Sequence, residues 1–207
     1  MTFRRLPRSL AAIPALALAA VLAGCAASVP APVLLSLPHA GDAMAPVSAA
    51  AAAPAQMLVV RRIGVPEYLS SRRVRYRADP STLAEWPNTF WAERIEIGVT
   101  REFVAALRQR LPGWTVCDST CDDGIPALSL QVDLAPLDYL RSAQQLEARA
   151  RVVVSSVQTE PKLLQQREQG FRLKGGSDTA QAEAEAIAQL LNEVAALAAP
   201  AVLAAKP

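Results

Sequence analysis

Apolar and polar positions alternate with two different periods along this chain. Trp91, Ile95, Val99, Phe103, Leu107 and Leu111 recur every four residues, with Arg94, Glu96, Arg101, Glu102, Arg108 and Arg110 between them. That spacing predicts an amphipathic helix of about five turns, stopped by Pro112-Gly113. Leu128, Leu130, Val132 and Leu134 alternate with Ser129, Gln131 and Asp133, and Leu146, Ala148, Ala150, Val152 and Val154 do the same beyond them. A period of two predicts half-buried antiparallel strands. Lys162–Lys174 adds another, with Phe171 and Leu173 pointing inward. Gly175-Gly176 breaks it, and Ser177 or Asp178 can cap a helix there. Residues 179–199 predict that second helix, with Ala180, Ala184, Ile187, Leu191, Val194 and Ala198 inward.

Upstream the signals are shorter. Met57–Ile63 is a strand candidate before the turn Gly64-Val65-Pro66. Arg73–Arg77 alternates Arg-Val-Arg-Tyr-Arg, a strand with Val74 and Tyr76 on one face. Residues 78–88, with Pro80 and Pro87, read as turns. The order is strand, strand, helix, three strands, helix. The economical packing is α+β: an antiparallel β-sheet with two amphipathic helices packed on one face. The domain is expected over residues 57–200.

Residues 26–56 are rich in Ala and Pro and nearly free of charge, which reads as a tether. Val33–Leu37 is an exception that fits a short strand joining the domain. Before this stretch stand Arg4, Arg5 and Arg8, then an apolar run from Leu10 to Ala23, ending in Leu22-Ala23-Gly24-Cys25. A basic start, a short apolar core and small residues before a cut predict a signal peptide over residues 1–24. The run is too short to span a bilayer, which takes ~20 residues. The tetrapeptide resembles the lipobox of bacterial lipoproteins, which implies that Cys25 becomes the first residue and carries the lipid. Two or more acyl chains anchor a protein stably. Ala26, rather than an aspartate, follows the cysteine, which favours the outer membrane.

Charge changes the picture little. Three of the 21 basic residues precede Cys25 and none of the 19 acidic ones does, so the chain from Cys25 on carries 18 against 19, a net charge of −1. That gives no reason to expect nucleic acid as a partner. Cys117 and Cys121 are the remaining cysteines. In an oxidising compartment a pair points to a disulfide. The alternative is a metal site with Asp118, Asp122 and Asp123, but no His or further Cys in the domain completes a zinc set, and no metal or cofactor is expected.

Catalysis finds no machinery. His39, the one histidine, falls in the tether; no Gly-rich phosphate loop precedes a Lys-Ser or Lys-Thr pair; Asp133 is expected on a solvent face, away from Asp138. The binding signals are stronger. Arg61, Arg62, Arg72, Arg73, Arg75 and Arg77 fall close together, opposed only by Glu67. They suit lipid headgroups or an acidic partner; for any single Arg a solvated strand face or a charged sheet edge is the plainer account, whereas the cluster as a whole fits a docking surface. Trp86 and Phe90 either line a groove or close the end of the core. Tyr68 and Leu69, after Pro66, are candidates for a contact loop. Tyr68, Leu69, Arg73, Arg75, Arg77, Trp86 and Phe90 are the candidate partner or lipid contacts.

Val65-Pro66-Glu67-Tyr68-Leu69, the run Arg72–Arg77, and Phe90-Trp91-Ala92-Glu93, taken with the lipobox, resemble the transport-auxiliary lipoproteins of ABC systems, the family of the paraquat-inducible outer-membrane lipoprotein. The likeness covers roughly residues 33–199. The family's first strand is usually aromatic, and here Val33-Leu34-Leu35 lacks the aromatics. The resemblance implies a non-enzymatic, outer-membrane-anchored, periplasm-facing subunit of a lipid or organic-solvent transport system. Its partner would be the protein with mammalian-cell-entry domains, and phospholipid a second ligand. The rival is a structural or assembly lipoprotein of another outer-membrane machine.

Overall fold

The computed structural model describes residues 30–39, 56–121 and 124–205. The signal peptide, Cys25 and most of the Ala/Pro-rich stretch lie outside them. From Pro32 onward the chain forms one unit. Its strands are β1 (Val33–Leu35), β2 (Gln56–Val60), β3 (Arg73–Asp79), β4 (Thr82–Trp91), β5 (Trp114–Asp118), β6 (Leu128–Leu140), β7 (Gln145–Ser156) and β8 (Leu163–Lys174). Helix α1 runs Ile95–Arg110 between β4 and β5, and α2 runs Ala180–Ala204 after β8. The class is α+β, as expected.

Strand β6 is where the sheet branches. One edge pairs antiparallel with β7, which pairs antiparallel with β8. The other edge is shared. Leu128–Leu130 run parallel to Leu58–Val60, Asp133 bridges Gly64, and Leu140 meets Arg77. Beyond β2 lies β5, parallel; beyond β3 lies β4, antiparallel; and β1 closes that side, parallel to β4. The sheet is therefore mixed, where an antiparallel one was expected. Period-two alternation says which face a residue takes and nothing about its neighbour's direction. Only the hairpin-connected pairs must be antiparallel; long connections permit the parallel ones, through α1 for β2–β5, β2–β6 and β3–β6 and before it for β1–β4.

One face is the core. Leu130, Val132, Leu134, Ala150, Val152 and Val154 are fully buried on it. The two helices pack on each other, α2 over β7 and β8 and α1 against β5. By length and composition α2 would pass for a membrane span. Its apolar side, including Leu190, Leu191, Val194 and Ala198, is instead buried in this core. Its N-cap is Thr179, whose hydroxyl accepts from Ala182 N, one residue beyond the expected Ser177 or Asp178.

Three other boundaries move. Residues 82–91 are a ten-residue strand, not turns. Pro87 sits where the β3–β4 register shifts between Arg73–Phe90 and Arg75–Glu85, and Asn88 there has φ +49°; a bulge is where a sheet tolerates proline. Trp91 consequently ends β4 instead of opening the helix. Trp114–Asp118 forms a strand that its short, polar-ended sequence does not announce. Finally, Val33–Leu37 does join the domain: Ala92 N donates to Leu35 O at 2.7 Å, and Leu35 and Leu37 are buried. His39 follows them onto the domain, with Nδ1 2.9 Å from Glu102 Oε1, so it does not belong to a free tether.

Candidate functional site

Alternation in β3 sends Val74 and Tyr76 into the core and Arg73, Arg75 and Arg77 to the outer face. A short 3-10 turn, Glu67–Leu69, stands beside them. Arg75 donates to Tyr68 O at 2.9 Å and, through Nε and Nη2, to Glu85 Oε1 at 3.3 and 3.2 Å. Arg73 shares that carboxylate, 3.4 Å from Oε2, and lays its guanidinium 5.0 Å from the Phe90 ring centre. Arg77 Nη2 and Tyr68 Oη both donate to Asp138 Oδ1 at 2.9 Å. Burial, then the Asp138 carboxylate, raises the Tyr68 pKa, and the Asp138 hydrogen bond raises that of Arg77. Arg72 Nη2 donates to the carbonyls of Trp91 and Ala92 at 3.2 and 3.1 Å.

Of the predicted contact residues, Tyr68, Arg73, Arg75, Arg77 and Phe90 thus gather on one outer face. Leu69 and Trp86 do not: both are buried in the core. Trp86 anchors a second cluster. Its Nε1 donates to Glu183 Oε2 at 2.6 Å, and its ring lies 4.8 Å from Tyr76 and 6.5 Å from Tyr139. Arg141 covers this aromatic stack, 4.5 Å from the Trp86 ring centre, and is held by Asp178 at 2.8 and 3.1 Å and by Tyr76 Oη at 2.7 Å. Burial pushes the Glu183 carboxyl up to about 8, against the Trp86 bond that lowers it. Glu183 escaped sequence reasoning because it sits 97 residues from Trp86 and looks like any acid in a helix's first turn.

Hollows on the surface are shallow. One of about 340 Å³ is lined by Arg77, Pro80, Asp138, Leu140 and Glu147, beside the basic face. Among the described residues no three His, Cys, Asp or Glu side chains are placed to hold a metal. Cys117 and Cys121 form a disulfide, with Cα atoms 5.3 Å apart.

Residues 37–199 match the family model of the ABC-type transport auxiliary lipoprotein component. No curated protein matches the chain. Among solved structures, the crystal structure of an uncharacterized protein has 19% sequence identity and a TM-score of 0.66, covering 84% of this chain and 99% of that one. Protein XCC0632 from Xanthomonas campestris, of the DUF330 family, has 17% identity and a TM-score of 0.50 over 80% of this chain and 88% of its own. At these identities the likeness is one of fold.

Proposed function

The chain belongs to the ABC-type transport auxiliary lipoprotein component family, and on that premise we propose that it is anchored in the outer membrane through lipidated Cys25 and faces the periplasm. There it docks the component with mammalian-cell-entry domains of a lipid or organic-solvent transport system. It works by binding, without chemistry of its own. The outward basic face carries the reading: among the described residues Arg73 and Arg75 have one carboxylate, Glu85, between them, beside the half-buried ring of Tyr68. Excess positive charge next to aromatic surface suits an acidic protein patch, since charge steers association and aromatic and arginine side chains dominate interface energies.

The test is capture from detergent-solubilised membranes. The full-length lipoprotein is expected to retain a protein with mammalian-cell-entry domains. Arg73→Glu with Arg75→Glu should lower the retained amount about tenfold while the melting curve stays close to that of the parent. Equal capture by parent and variant would move the docking site off this face, and capture of no such protein would remove the reading. Native mass spectrometry of the same preparation reports whether phospholipid travels with the domain.

A further inference from the structure

Strand β1 closes one side of the sheet and pairs with β4 alone among the described strands. Its two leading side chains have little to pack on: Val33 is 51% and Leu34 61% exposed. Leu34 stands in register with Phe90 and Phe90 with Arg73, so one row of the outer face reads apolar, aromatic, cationic across three strands. Arg72 lies at the same end of β3, its guanidinium on the carbonyls of Trp91 and Ala92. An edge strand with exposed apolar side chains is ordinarily a liability that charge or a cover removes. Here the charge stands two strands inward and the outermost residues are the apolar ones.

The covalent chain indicates what covers them. Only residues 26–32 separate Cys25 from Val33. Fully stretched, that link reaches roughly 28 Å, less than the ~40 Å diameter of a globular unit of this size. An anchor at Cys25 therefore keeps the β1 end near the lipid, whatever way the far side turns. Apolar side chains with arginines behind them are the composition that enters a membrane interface, with aliphatic tips among the acyl chains and guanidiniums at anionic headgroups.

We propose that Leu34 and Phe90, flanked by Arg72, form a membrane-contact site that seats the domain on an anionic lipid surface. The proposal rests on the lipoprotein reading of Cys25 and does not depend on the docking of a transport partner. It divides the basic face: the end next to β1 meets lipid, and Arg73, Arg75, Arg77 and Tyr68 stay open to a protein.

The experiment uses the full lipidated protein in vesicles of phosphatidylglycerol and phosphatidylethanolamine. An environment-sensitive dye is attached at Leu34→Cys or, as control, at Leu163→Cys. Leu163 is 60% exposed on β8, five strand spacings from β1, or about 24 Å. The expected result is a blue shift and loss of iodide quenching at position 34, no change at 163, and a smaller shift in phosphatidylcholine. An aqueous dye at 34 on vesicle-bound protein overturns the contact site and leaves the anchor intact. Equal shifts at both positions overturn it as well, since adsorption would then be unspecific. If mass spectrometry finds Cys25 unmodified and the protein does not join vesicles, the lipoprotein reading falls and takes this site with it.

Discussion

Glu183 sits one turn into α2 with its carboxyl inside the core and Trp86 Nε1 2.6 Å from Oε2. Burial lifts its pKa to about 8, whereas an unfolded chain releases the proton near the usual ~4.3. Between those values the folded state holds a proton that the unfolded state has shed, so stability falls as pH rises through that window and levels off above it. Glutamine keeps an acceptor for Trp86 and carries no charge. Glu183→Gln should therefore be about 2–4 kcal/mol more stable than the parent at pH 8 and equal to it near pH 4. Urea unfolding at the two pH values measures this, and a pH-independent difference would mean that ionisation is not the cause. This pair was not legible in the sequence. The outer face was, because Arg73, Arg75 and Arg77 lie within one strand and alternation alone sets their side. Leu69 lies in the core where a contact loop was expected, and Trp86 takes the core-closing side of the two its sequence left open; only packing with distant elements decides such cases.

At the scale of elements, the helices and the meander β6–β7–β8 were readable because each repeats its period over many residues. The failures cluster where local signals conflict with tertiary pairing. Pro80, Pro87 and Asn88 hide β4, five residues are too few to reveal β5, and β1 is embedded in low-complexity sequence. For β1 the energetics can be checked directly. Leu37 is 3% exposed, and its Cδ1 lies where a side chain at Gly98 on α1 would meet it, 3.5 Å from the position a Cβ there would take. Leu37→Ala is expected to cost about 2–4 kcal/mol in a chemical denaturation experiment. A residue in a free tether would cost nothing, so unchanged stability would return residues 33–37 to the linker.

On the scale of the whole molecule, β1 converts a long tether into a short one. With Leu35 and Leu37 buried, the stretch from 26 to 56 no longer acts as one spring. On the proposal that Cys25 carries the lipid, residues 26–32 set the distance to it, and the rest of the stretch only joins β1 to β2 in sequence. The reach of the domain above the membrane then grows with residues added before β1 and not with residues added after it. About thirty Gly/Ser residues inserted after Ala27 would let the domain move by an additional ~30 Å root-mean-square. The same insertion after Ser48 would leave the anchor distance unchanged, because β1 still holds the near end. On the proposed docking to a component that bridges the envelope, the two would meet at a fixed height, so cross-linking to the transport system in intact cells should drop for the first insertion and persist for the second. Capture in detergent, where no membrane sets a height, should be the same for both. Equal loss of cross-linking from the two insertions would show that β1 does not divide the segment, and that the domain hangs from its full length.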